Sequence, residues 1–249
     1  MANEKRNKRT ATKKDKNRKH LSVIISVDQD EITIKALLQQ VEKLHPKEII
    51  MILHGSNEQS IEILLNSQFP SHTTIIYPFP LGEELWRSIG AKEATGDVWL
   101  FLDGSEMILT EDLSPFVHAC YGGADIALRK SNASSVTGTV NLACAFFNHL
   151  LEQQQLGVSS MTVLPFAMKK KAASLVGIDQ LVVPPLAQAI AIRNGLRVET
   201  VPLKWYFDHG GKNVTPSRSR QKEMTCLGDH LEAVLYWSEQ IRSDHGKVI

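Results

Sequence analysis

Short, almost unbroken apolar runs alternate with amphipathic stretches through the first hundred residues, and this alternation limits the possible folds more than any other feature. Leu21 to Val27 is apolar and β-branched, the mark of a buried strand. Glu31 to Leu44 follows, with Ile34, Leu37, Leu38, Val41 and Leu44 at helical spacing. Further strands are predicted over Glu48 to Leu53, Thr73 to Tyr77 and Asp97 to Leu102. Helices are predicted between them over Asn57 to Asn66 and Gly82 to Thr95. Strands recurring every 20 to 25 residues, roughly, with helices between them are stacked βαβ units. Strands apolar on both sides require a sheet covered on both faces. The first half is therefore a doubly wound, Rossmann-like parallel sheet.

The second half is less regular. Glu111 to Tyr121 and Val140 to Gln155 read as helices, with a strand over Asp125 to Arg129. Met161 to Val183 mixes short apolar runs with Lys169, Lys170 and Lys171. Pro184 to Asn194 reads as a helix, opened by proline and followed by Gly195. Arg197 to Leu203 is a late strand, Asp208 to Arg220 a Gly-, Pro- and Ser-rich loop, and Leu227 to Arg242 a final helix. The Asp229–His230 pair reads as the start of that helix, with Asp229 as a cap. No repeat or clean linker divides the chain, so residues 21–249 are expected to form one domain.

Composition removes several classes. At 43% hydrophobic residues the chain can bury a sizeable core, and no apolar run is long enough to span a bilayer. Cys120, Cys144 and Cys226 are odd in number and far apart, which suits buried thiols in a reducing cytoplasm better than disulfides or a CxxC metal site. Charge is unevenly placed. Residues 1–20 carry nine Lys or Arg against two acids, a charge of +7, which leaves −6 on the remainder. The first 20 residues are expected to be a disordered basic arm able to contact an anionic membrane surface by charge. The acidic body leaves only this arm for nucleic acid, so that partner class is disfavoured.

In an open parallel sheet, ligands bind beyond the carboxyl ends of the strands. The first strand leaves through Ser26, Val27, Asp28 and Asp30, the second through His54, Gly55 and Ser56, and the fourth through Asp103, Gly104, Ser105 and Glu106. Small, polar and acidic residues at three exits suggest a binding cleft, although turns are commonly polar. Neither a GxGxxG turn nor a P-loop follows any strand, and GxSxG and HExxH are also missing. Asp103 with Glu106 would suit a hard divalent cation bridging two phosphates, or Asp103 would simply cap a Gly-Ser turn.

The order of these segments resembles the family-2 glycosyltransferases of the GT-A fold. The resemblance rests on LSVIISVDQDE at 21–31, on Gly55 and Ser56 after the second strand, and on Trp86-Arg87-Ser88-Ile89-Gly90. It continues through Ala94-Thr95-Gly96-Asp97 and LFLDGSE at 100–106. It covers residues 21–113 well and continues loosely to about residue 205. It implies a GT-A type, mostly parallel α/β sheet with a nucleotide-binding half over 21–113 and an elaborated acceptor half over 114–249. The implied activity is transfer of a sugar from a nucleotide-diphospho-sugar to an unknown acceptor, with inversion. A manganese or magnesium ion would sit at Asp103, the first Asp of the D-x-D pair, and Arg87 would help hold the nucleotide.

The sequence departs from the pattern at several points. Ser105 replaces the second Asp of the pair, Leu53 and His54 replace carboxylates, and Pro184-Pro185 stand where the catalytic base would be. Glu106 and His209 are the residues that would complete the metal set, and Asp179 is the candidate base. Lys169 to Lys171 offer cations for a diphosphate. The alternative is a catalytically degenerate nucleotide-binding or scaffold protein on the same fold.

Overall fold

Seven strands form one mixed sheet in the order β3-β2-β1-β4-β6-β5-β7. The computed structural model describes residues 19–27, 31–55, 61, 72–130, 138–204 and 216–245. The first half comprises β1 (Leu21–Val27), α1 (Glu31–Glu42), β2 (Glu48–His54), β3 (His72–Tyr77), α2 (Leu85–Glu93) and β4 (Val98–Asp103). Its four strands are mutually parallel, as the unbroken apolar runs require. The second half comprises α3 (Thr110–Gly122), β5 (Ile126–Lys130), α4 (Thr139–Leu150), β6 (Phe166–Lys169), α5 (Lys170–Val176), α6 (Pro184–Arg193), β7 (Val198–Pro202) and α7 (Pro216–His245). Strand β6 runs antiparallel to both β4 and β5, and β5 pairs parallel with β7.

Period-two alternation divides each central strand between two cores. Val23, Ile25, Met51, Leu53, Leu100 and Leu102 point to the side packed by α1 and α3, with Leu37, Leu38 and Phe116. Ile24, Ile50, Ile52, Trp99 and Phe101 point to the other side, with Trp86, Ala173 and Ala187. Phe101 stacks on Phe166 of β6 with centroids 4.6 Å apart, which joins the two halves of the sheet. A third cluster, Phe147, Leu151, Leu186, Ala189 and Ala233, holds α4, α6 and α7 together.

Several boundaries differ from those the sequence suggests. Helix α4 stops at Leu150 rather than Gln155, because Glu152 takes a φ of 58° and breaks the helical path. Helix α7 begins at Pro216, well before Leu227, and passes through Gly228 and Asp229 without interruption. Proline at the first helical position is compatible with a helix start, and the polar run 217–223 hides the helix from a search for apolar periodicity. Asp229 is therefore not a cap. The proposed helix Asn57–Asn66 lies outside the described residues except for Ile61, which packs on the α1 side of the core. Of the expected basic arm 1–20, residues 1–18 lie outside the described residues and only Lys19 and His20 are described. Lys19 donates to Tyr121 O at 2.9 Å and the His20 amide to Asp97 Oδ2 at 3.0 Å. The three cysteines are buried free thiols.

The Ala94 to Asp97 segment has a structural task. Glu48 Oε1 accepts from Ser22 Oγ at 2.5 Å and from the Thr95 amide at 2.6 Å, and the Gly96 amide donates to Ser22 Oγ at 2.8 Å. Gly90 is equally constrained, since a Cβ there would lie 2.3 Å from Ile24 Cγ2 and 2.9 Å from Ile52 Cδ1. Gly90→Ala is expected to lower stability by about 1–3 kcal/mol through overpacking. Gly122→Ala, with nothing within 4 Å of its Cβ, is expected to be neutral or slightly stabilising. Urea unfolding of both variants checks the contrast, and an unaltered midpoint for Gly90→Ala would refute it.

Candidate functional site

The sheet reverses its strand order between β1 and β4, and in open α/β sheets the crevice for a ligand lies beyond the carboxyl ends at such a point. Ser26 on β1 lies directly opposite Asp103 on β4 in the parallel register. His54, ending β2, closes the third side, with Nε2 3.0 Å from Ser26 Oγ. Three of the residues singled out from the sequence thus meet at the switch point. Gly55 follows with a φ of 64°, a conformation suited to glycine. Gly104 donates its amide to Ser26 O at 2.8 Å, and a Cβ on it would lie 2.8 Å from that oxygen. Glycine is needed there for the β4 exit to lie close to β1. Val27 is buried below the rim. Asp28, Asp30, Ser56 and His209 lie outside the described residues.

Asp103 is oriented by the residue that replaces the second D-x-D carboxylate. Its Oδ1 accepts from the Ser105 amide at 2.8 Å and from Ser105 Oγ at 2.6 Å. Oδ2 makes no hydrogen bond with the described residues. Glu106, expected to join Asp103, instead sets its carboxylate 3.7 Å from Arg129 Nη1, which also donates to Leu164 O at 2.9 Å. Among the described residues no group of three or more His, Cys, Asp or Glu side chains stands ready to hold a metal. A magnesium-like cation commonly uses one or two carboxylates plus substrate phosphates and water. One oriented carboxylate, its Oδ2 without a hydrogen bond from the described residues, fits that pattern, provided the ligand brings the phosphates.

The charged groups around His54 come mainly from residues that the motif search passed over. Glu83 and Glu84 precede α2, and Lys222 of α7 pairs with Glu83 at 3.3 Å. Burial lowers the His54 pKa below the ordinary value, so the imidazole is neutral at pH 7, although Glu83 and Asp103 pull the other way. Glu84 forms an ion pair with Arg87 Nε without aligned hydrogen-bond geometry. Its carboxyl is pushed up to about 7, chiefly by burial, with Arg87 opposing and Asp229 adding to the rise. Asp229 is pushed up to about 6, again by burial first and then by Glu232. The adjacent acids Glu83 and Glu84 directly before Trp86-Arg87 were the available sequence signal.

Three expectations are corrected by placement. Arg87 does not face the crevice. It is buried, donates from Nη1 to Met161 O at 2.5 Å and from Nη2 to Thr162 O at 3.2 Å, and lies over the Trp86 and Phe166 rings. Its guanidinium is thereby occupied and is not available to a nucleotide. Asp179, the proposed base, lies on the flank of α2, with 79% of its side chain exposed. It pairs with Lys92 at 2.6 Å and accepts from Ser88 Oγ at 3.2 Å. Lys92 and Ser88 hold its pKa below the usual carboxylate range, the wrong direction for a base. Lys169 belongs to the amino edge of the sheet, bonded to Asp125 Oδ1 at 3.1 Å and Gly123 O at 3.0 Å, and Lys170 and Lys171 follow it there. These lysines face away from Asp103.

No protein-family model matches the sequence, and no curated protein matches it. Solved structures do match its fold. One is glucosyl-3-phosphoglycerate synthase from Mycobacterium tuberculosis in complex with Mn2+, uridine diphosphate and glucosyl-3-phosphoglycerate. It shows 12% identity and a TM-score of 0.65, over 86% of this chain and 80% of that one. The same enzyme with Mn2+ and UDP-glucose matches at 13% identity and a TM-score of 0.62, over 85% and 79%. The enzyme without named ligands matches at 15% identity and 0.60, over 86% and 81%. At such identities the likeness is one of fold, and that fold is GT-A-like.

The buried carboxyls give the fold a pH signature. Glu84 ionises near 4.5 when unfolded and near 7 when folded, so between these values the native state holds more protons. Stability is therefore expected to fall as pH rises from 5 to 7, by roughly 2 kcal/mol from this group. Glu84→Gln should flatten the slope. Urea unfolding at stepped pH tests this, and stability that rises through the window would overturn it.

Proposed function

We propose that this chain is a nucleotide-sugar-dependent glycosyltransferase that binds its donor over the exits of β1, β2 and β4. The observation that carries the reading is Asp103, set opposite Ser26 at the strand-order reversal and oriented by Ser105, with Oδ2 accepting no hydrogen bond from the described residues. Support comes from the fold shared with enzymes crystallised with UDP, UDP-glucose and Mn2+. In this reading Asp103 would hold a manganese or magnesium ion, which would supply charge stabilisation to the departing nucleoside diphosphate. Ser105 holds the Asp103 carboxylate in place. The neutral His54 and the Ser26 hydroxyl offer uncharged hydrogen-bonding groups to the nucleoside. Gly55 and Gly104 let the ligand approach the backbone. With Asp179 on the flank of α2, the proposal no longer includes a side-chain base.

The family-2 assignment remains part of the proposal only through the motifs at 86–106. The donor is a nucleotide-diphospho-sugar, and the acceptor enters from the second half. The basic residues 1–18 contribute charge suited to an anionic membrane surface. No helix among the described residues is long and apolar enough to cross a membrane. A second reading, a nucleotide-binding protein without turnover, is favoured by the pairing of Glu106 with Arg129 instead of with Asp103.

A thermal-shift panel with UDP, GDP, CDP and dTDP, each with and without manganese, separates the two. A ligand at 100 times its dissociation constant adds about 2.7 kcal/mol to stability. A shift that needs one nucleotide together with manganese, and that Asp103→Asn abolishes, is expected for the transferase. A metal-independent shift would support the second reading. Binding unaltered in Asp103→Asn would remove Asp103 from the site.

A further inference from the structure

Helix α7 presents an apolar stripe to solvent, directly opposite the face it buries. Its buried side carries Cys226, His230 and Ala233, packed against Phe147 of α4 and the α6 cluster. Met224, Gly228, Leu231 and Leu235 recur at spacings of four, three and four residues, one stripe of a helix. Met224 is 60% exposed, and Leu231 and Leu235 are each 66% exposed. These are not scattered surface residues, because successive turns expose them in line. Met224, Leu231 and Leu235 together offer on the order of 300 Å² of apolar surface, within the scale at which an exposed patch marks an interface.

Gly228 identifies what this stripe accommodates. A glycine in mid-helix weakens the helix relative to alanine. Here nothing among the described residues requires it, since a Cβ at residue 228 would meet none of their atoms within 4 Å. The gap it leaves faces outward, between Met224 and Leu231.

We propose that α7 pairs antiparallel with α7 of a second copy, about a two-fold axis between Asp229 and His230. This register sets each residue against the one equally far on the other side of the axis. Leu231 then enters the gap left by Gly228 of the second copy, and Leu235 meets Met224. Arg220 meets Glu239, and the two-fold axis repeats every pair. Arg220 and Glu239 are both exposed and lie beyond the apolar stripe at its two ends. A small residue opposite a large one, apolar opposite apolar and cation opposite anion arise together from this single register. Such self-complementarity is what an isologous dimer requires. A standard interface buries about 800 Å² per partner, with an apolar centre and a polar rim. The stripe supplies the centre, and Arg220 with Glu239 the rim. The inference is independent of the transferase reading.

Sedimentation velocity of the full chain across roughly 1–100 μM protein, the range a standard interface of this size makes accessible, tests it. The expected species is a dimer of the 27.8 kDa chain. Leu231→Glu and Gly228→Leu should each shift the chain to monomer while its far-ultraviolet circular dichroism stays native. Arg220→Glu should weaken the dimer about tenfold by replacing attraction with repulsion at two symmetric positions, and adding Glu239→Arg should restore it. A wild-type monomer across the range would overturn the proposal, whether or not that monomer bound phospholipid vesicles through the stripe. So would a dimer indifferent to all four substitutions, which would place the interface elsewhere.

Discussion

The Arg87 guanidinium ties the two halves of this fold together from inside. It reaches from α2 to the carbonyls of Met161 and Thr162, just before β6. From there the polar chain continues, as the Met161 amide donates to Gln188 Oε1 at 3.0 Å and Gln188 Nε2 to Asn148 Oδ1 at 2.7 Å. Asn148 Nδ2 ends it on the carbonyls of Gly157 and Ser159, each at 2.9 Å. A buried cation is tolerable only when it is hydrogen-bonded and its charge is offset, and here two backbone carbonyls take the Nη donors while Glu84 offsets the charge. The segment 157–162 has almost no regular structure, so it depends on these side chains for its position. Strand β6 depends on that segment in turn, and its antiparallel pairing with β4 and β5 joins the outer strands to the parallel half.

The same arginine tempers the effect of burial on two acids. Burial raises the proton affinities of Glu84 and Asp229, and the guanidinium near both opposes that rise. Asp229 comes from α7 and Glu84 from the segment before α2. The C-terminal helix is therefore held to the first half of the fold by the Asp229–Arg87 attraction as well as by the Lys222–Glu83 pair. The crevice itself, Ser26, His54 and Asp103, needs only β1, β2 and β4 in register.

Much of the first half was legible because its signal is local. Apolar runs such as 21–27 and 98–102 mark strands whatever lies far away in sequence, and the exits of parallel strands must share one edge. That is why Ser26, His54 and Asp103 were found. The second half depends on distant partners. Strand β6 is only four residues long and needs β4 and β5 to exist at all. The start of α7 is polar, and its position follows from packing on α4 and α6.

The sequence by itself determined the alternation of strand and helix, the two-sided burial of the central strands and the edge where a ligand would meet the sheet. Periodicity and polarity encode these directly. Only the tertiary structure decided which charged residues reach that edge. Arg87 and Asp179 sit in the motif and near the expected base position, yet burial took the first inward and Lys92 held the second on the flank. Glu83 and Glu84 lie far in sequence from Lys222 and Asp229, and the two pairs meet because α7 passes the segment that precedes α2. Electrostatic partnership depends on distances of a few ångströms in space, and one-dimensional spacing does not carry that information across a hundred and forty residues, roughly the separation of Glu84 and Asp229.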